Sequence, residues 1–576
     1  MFRNNDAHLQ QPLFSSLDEL PPKLRQRLEE SWAGAFYHGF FSQIDEELFA
    51  VLYGEADSRP NVPVNVLVGL EVLKAGKGWT DEEMYDAFCY DLQVRYALGY
   101  RSLAEGHFEL RTMYNFRQRL AKHMQESGEN LIGKVFEDVT DKQLQALKVK
   151  TGKLRMDSTQ VASNIQNGSR LQLLVEVLQR AHRMLNEEEQ AEYEALFASY
   201  VKGKANHYVY RLRGAYQDHI QKIGEVMAQL VVDLAKRYGE EPAYQVLKRV
   251  FEEHFVWDEE EQRPKQGQEL SAGSLQSPDD REATYRKKRE EEYVGYVANV
   301  TETCDPENDL QLIVHMQTES NVTDDAAMLA ETLPELKERL DVEEMDTDGG
   351  YNSEDVDKLM RELNVEHYQT AIRGGAPSPD RVGLAQFIIV TDELGLLEQL
   401  TCPDGQTAMA GPGRNPERYI VRFDAEQCAE CPLRAQCIVS PEAQSGKAVL
   451  YLDQRQVDVA LKLQRLLIMK QSGRNLRPAV EATVRSVKHP FRQGKLPVRG
   501  KFRMASMLLA SALMVNVRRI RAHGMQKQAE NQQLPPVFGH FHRLARFLRP
   551  RDGLYRHLLT KCHRWLPIPS ASYAIV

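Results

Sequence analysis

At 576 residues the chain can build several cores, and its 42% hydrophobic and 27% charged residues, with no long biased tract, are those of an ordinary soluble protein. The longest nearly unbroken apolar run, Met504–Val515, falls short of the roughly 20 residues that span a bilayer, which excludes a membrane helix. The polar start MFRNNDAHLQ lacks the apolar centre of a secretory signal, so a cytoplasmic protein is expected.

The net charge of −10 is unevenly spread. Arg474–Val576 holds 20 Lys and Arg against 3 Asp and Glu, a balance of +17, leaving −27 for the rest. Such asymmetry fits a basic surface that neutralises phosphates; a merely solubilising tail would have the same composition. Seven cysteines give an odd count, and Cys402, Cys428, Cys431 and Cys437 gather in one stretch, which in a cytoplasmic chain points to metal before disulfides.

Residues 17–150 read as helical. Pro63–Leu73 is apolar and is closed by Gly76 and Gly78; Thr80 and Glu83 form a capping box that starts the next helix. In Arg111–Leu120 the cations Arg111, Arg117 and Arg119 lie beside Tyr114 and Phe116. The pattern serves a DNA-gripping helix-turn-helix and a plain helical bundle equally.

Lys153–Val161 breaks the helical pattern as a strand with Asp157 near its end, and 170–256 returns to charged helices, an inserted helical domain. Gln266–Asp280, rich in Gly, Ser and Gln, reads as a linker or mobile loop. A hairpin follows from Tyr293–Thr301 and Leu310–Met316, then a helix Ala326–Leu340 capped from Asn321–Asp325. A strand enters Asp346–Tyr351 (DTDGGY), a helix starts near Ser353, and His367–Ile372 is a short strand. After the cysteine segment, Gln454–Lys488 is expected as one long helix carrying Glu481.

Asp157 alone is weak evidence of a site, since lone aspartates are mostly caps or surface groups. Asp348 stands in Asp-Gly-Gly-Tyr, where glycines allow a sharp turn and an exposed carboxylate, with Asp346 its rival. Arg477, Glu481, Arg485 and Lys488 share one helix face, either as an ion-pair ladder or as a metal-binding Glu among bases that hold a DNA backbone. Three carboxylates would suit two hard cations roughly 3.5–4 Å apart, which cleave phosphodiesters. Cys428-x-x-Cys431, with Cys402 and Cys437, has the donors of a closed tetrahedral Zn²⁺ site; free structural cysteines are the alternative. Pro490–Arg503, with Arg492, Lys495, Arg499 and Lys501, reads as a loop facing DNA, and Met504–Ile520 as an apolar helix covering the sheet.

On PVNVLVGLEVL, RTMYNFRQRL, RMDSTQV, GYVANV and TDGGY the chain resembles the transposases of the IS1182 group, within the IS4/IS5-like DDE superfamily. The family pattern Tyr-x2-Arg-x3-Glu-x6-Lys falls on Arg474, Arg477, Glu481 and Lys488, with Arg474 departing from Tyr. The resemblance covers nearly the whole chain. It implies an α/β protein: a ribonuclease-H-like catalytic core split by a helical insert and a Cys-rich zinc insert, with an all-α N-terminal domain. The expected divisions are 1–150 (DNA-binding helices), 151–168, 281–398 and 454–525 (core), 169–280 (helical insert), 399–453 (zinc insert) and 526–576 (basic appendage). It further implies Asp157, Asp348 and Glu481 as ligands of two Mg²⁺ or Mn²⁺ ions, a structural Zn²⁺, double-stranded DNA as substrate (terminal inverted repeats and target), and a homodimer on DNA with no membrane partner. An inactive DNA-binding zinc protein on the same scaffold and a different nuclease, such as a junction resolvase, are the other readings.

Overall fold

The computed structural model describes residues 1–10, 15–54, 60–165, 168–212, 214, 216–288, 290–371, 380–392, 394–413, 418–441, 447–472 and 477–531. Arg474 and the basic segment beyond 531 lie outside them, as do the side chains of 472, 477 and 478. The chain divides into two units, Met1–Ile520 and Arg521–Val576, and the architecture below is that of the first.

Its central sheet is built on β1 (Lys153–Ala162), with β2 (Thr284–Lys288), β3 (Glu291–Thr303), β4 (Ile313–Ser320), β5 (Glu344–Thr347) and β6 (Glu366–Gln369). The order is β4-β3-β1-β5-β6, with β2 pairing the start of β3 on the same edge as β4. β3 runs antiparallel to β1 and β4, whereas β5 is parallel to β1 and β6 to β5. Parallel neighbours need crossovers, and these are the helices Asp325–Leu340, between β4 and β5, and Glu354–Glu362, between β5 and β6.

Strand alternation gives the sheet two apolar faces. Leu154 and Met156 join Leu329, Leu333, Leu336 and Val356 of the crossover helices in one core. Val161, Tyr296, Ala298 and Val300 join Val487 and the helix Lys501–Asn531 in another, which continues into the N-terminal helices. The apolar helix is therefore covered on both sides, as a helix hydrophobic all round must be. At Gly76 a Cβ would collide with Met514, so glycine there permits the close approach of helix Val64–Lys77. The predicted Thr80–Glu83 capping box is present in both halves.

A buried ion cluster ties these layers together. Glu302 on β3 is fully buried and accepts from Arg155 Nε on β1 (2.7 Å), from Arg519 (2.7 Å) and from Thr483 Oγ1 (2.9 and 2.8 Å to its two oxygens). Two strands, β1 and β3, and two helices, Arg477–Lys488 and Lys501–Asn531, thus meet at one carboxylate.

The helical insert has its own core, from Leu171 through Phe255 with Leu275. Gln266–Asp280 is not the mobile linker its composition predicts. Asp280 is buried and accepts from Tyr296 Oη (2.5 Å), Gly500 N (3.0 Å) and the Ser163 hydroxyl, so the segment is bonded to β3, to the end of β1 and to the loop before the apolar helix. A second, antiparallel sheet takes in six strands between Ile388 and Asp453 and encloses a core of Phe387, Leu400, Val421, Phe423 and Leu450. The expected long helix is described as two, Gln454–Ser472 and Arg477–Lys488, on either side of 473–476.

Replacing Glu302 with Ala would leave two guanidinium groups in a buried site without their shared anion. We expect a loss of about 3–5 kcal/mol in urea unfolding; a loss under about 1 kcal/mol would show that the cluster does not hold the layers. His367 on β6, whose Nε2 lies 2.8 Å from Thr347 Oγ1, has its pKa lowered to about 3 by burial. The unfolded chain therefore binds the proton first, and this contribution to stability is full above pH ~6.5 and is lost as pH falls toward the folded value. The urea midpoint of the wild type should fall more between pH ~6.5 and ~4 than that of His367→Gln; parallel profiles would refute the assignment.

Candidate active site

β5 pairs with β1 as far as Arg155↔Asp346. Two residues further along each chain segment come Asp157 and Asp348, so the parallel register carries both to the same level. There β5 ends: Asp348 caps the short turn Gly349–Tyr351, its Oδ1 accepting from Gly350 N at 2.7 Å. Asp157 Oδ1 accepts from Ser158 N at 2.9 Å. A cavity opens where the strands part, lined by Arg155, Met156, Asp157, Asp346, Thr347, Asp348, Thr370 and Val480.

Val480 brings in the helix Arg477–Lys488. Its inner face, Val480, Thr483 and Val487, is buried, and Thr483 is fixed by Glu302. Glu481 follows Val480 and is exposed on the solvent side. Of the three predicted carboxylates, Asp157 and Asp348 line the cavity and Glu481 does not, and the three do not form a tight cluster. Among the described residues, the group whose ligand atoms all lie within 4.8 Å of one another is Glu137, His315 and Glu335, which is elsewhere and has Arg339 3.4 Å from Glu137.

Asp346, the rival to Asp348, is buried opposite Arg155, and its Oδ2 accepts from Cys304 Sγ at 3.6 Å. Gly350 has a role beyond turning. A Cβ there would lie 2.7 Å from Asp348 Oδ1 and 2.9 Å from Asp325 Oδ2. The helix expected from Ala326 begins one residue earlier, at Asp325; its N-cap, Asp324, falls within the expected capping segment, and Asp325 is a buried first-turn residue. Burial, and then the nearby Asp348, push its carboxyl up, against the Ser158 hydroxyl and Arg286. Tyr351, which donates to Asn299 Oδ1 at 2.7 Å, is raised by burial and by Asp325, Asp157 and Asp348.

The predicted DNA-binding cations divide. Arg117 is bound by Glu71 (2.6 Å) and Asp81 (2.7 Å), and Lys488 donates to Gln160 O (2.7 Å) and Thr159 Oγ1 (3.1 Å). Lys495 donates to Ile165 O (2.8 Å), Arg499 to Asn164 O (2.6 Å), and Lys501 pairs with Glu319 (2.6 Å). These five are engaged with the protein itself. Arg119 lies over the Tyr53 ring, and Arg111, Arg485 and Arg492 are exposed. Arg474 and the Arg477 side chain lie outside the described residues.

Cys402, Cys428, Cys431 and Cys437 line one cavity of the second sheet with Gln406, and none is in a disulfide. Gln406 N donates to Cys402 Sγ at 3.3 Å. Burial pushes the Cys428 and Cys431 thiols up. No helix among the described residues is long and apolar enough to cross a membrane.

Residues 401–521 match the transposase DDE domain family. The match takes in the cysteine segment and the helices that carry Glu481 and the apolar stretch, and it does not reach Asp157 or Asp348. Searches of curated proteins and of solved structures find no match. The family match supports a DDE transposase.

Proposed function

We propose that the chain is a DNA transposase of the IS1182 group on a ribonuclease-H-like core, which cuts phosphodiesters at the ends of an insertion sequence and joins them to target DNA. The observation that carries this reading is the β1–β5 register, which sets Asp157 beside Asp348 in a cavity walled by the Glu481 helix. Three antiparallel strands followed by two parallel ones, with crossover helices between, fit that core.

Asp157, Asp348 and Glu481 would hold two Mg²⁺ or Mn²⁺ ions. The donors are all carboxylate oxygens, which suit hard cations. When bound, such ions activate the attacking hydroxyl and stabilise the leaving oxygen. Asp157 and Asp348 hold the sheet side of the site, Glu481 the helix side, and Thr483 with Glu302 fixes that helix. Exposed Arg485 and Arg492 are the described cations best placed to meet phosphate beyond it. The substrate is double-stranded DNA bound by a homodimer in the cytoplasm.

A structural Zn²⁺ on the four cysteines completes the proposal. Four thiolates would close the shell of such an ion and leave no catalytic position.

Asp157→Asn, Asp348→Asn and Glu481→Gln should each retain binding to a labelled terminal repeat and lose Mg²⁺-dependent nicking. Wild-type cutting by any of them would remove that residue from the triad. Cys431→Ser should lower the zinc content of the purified protein and its unfolding temperature; unchanged metal content would refute the zinc site.

A further inference from the structure

Asp325 opens the helix Asp325–Leu340, and a carboxylate in a first turn ordinarily faces water or the free N–H groups. This residue is only 7% exposed, and its Oδ1 has no hydrogen-bond partner among the described residues. A buried acceptor without a donor costs free energy that the surrounding structure must offset. Its Oδ2 and Asp348 Oδ1 crowd the same point, the position a side chain on Gly350 would fill. Ser158, the residue after Asp157 on β1, is near enough to the same carboxyl to lower its pKa against the effect of burial.

We infer that Asp325 supplies a further carboxylate oxygen to the divalent-cation site of Asp157 and Asp348, an inference that rests on the metal-dependent reading above. A buried and a half-buried carboxylate held across a glycine repel one another, and a hard cation that takes oxygens from both relieves the repulsion. The position explains why Asp325 is turned inward from a helix start, and why the residue between the two carboxylates has no side chain.

The test measures Mn²⁺ binding to the full-length protein without DNA, from the spin-resonance signal of the free ion, for wild type, Asp325→Asn, Asp325→Ser and Asp348→Asn. Both Asp325 variants should bind Mn²⁺ at least about tenfold more weakly than wild type. The rise in unfolding temperature that Mn²⁺ gives the wild type should shrink in step. If Asp325→Asn does not fold, Asp325→Ser, which suits a helix start, decides alone. Wild-type affinity in a folded Asp325 variant, with binding weakened in Asp348→Asn, would overturn the role of Asp325 and leave the metal site standing. A wild type that takes up no Mn²⁺ would overturn both.

Discussion

A single buried carboxylate, Glu302, sets the arrangement of the candidate site. Withdrawing an ion from water costs several kcal/mol, so it is tolerated where its partners are close and numerous. Arg155, Arg519 and Thr483 are those partners, and each comes from a different element. Arg155 lies two residues before Asp157, and Thr483 two residues after Glu481. The same cluster therefore fixes the strand and the helix that bear two of the three proposed ligands. An apolar substitute would pack these layers without specifying how the helix is turned about its axis, which decides where Glu481 stands.

The third proposed ligand, Asp348, is positioned by backbone geometry. Parallel pairing of β5 with β1 carries Asp348 to the level of Asp157, and the turn after it holds the carboxylate through Gly350 N. Both glycines of Asp-Gly-Gly-Tyr meet close neighbours: Gly349 faces the Ala371 carbonyl, and Gly350 the two carboxylates. Their use is space, where the sequence alone points to a sharp turn.

Much of the fold was legible because local chemistry determined it. The capping box at Thr80, the Asp157 strand, the hairpin and the apolar helix each follow from residue spacing. What escaped depended on distant partners. Gln266–Asp280 has a linker's composition, yet Asp280 finds Tyr296, Ser163 and Gly500. The sequence places Asp325 at a helix start and does not report its burial beside Gly350, which is 25 residues on in sequence. The shared core of the N-terminal helices and the apolar helix joins the two ends of the unit, and no periodicity reports that.

The same distinction separates cations that hold the protein from cations that can meet DNA. Lys488, Lys495 and Arg499 all donate to carbonyls along or just past β1, which anchors the segment after the Glu481 helix to the strand that carries Asp157. A cation engaged in this way keeps fewer donors for phosphate and releases fewer counterions on binding. In the proposed complex with DNA, salt dependence should fall short of what the total charge implies, because a cation already bonded within the protein gains a phosphate only by sharing or losing a partner.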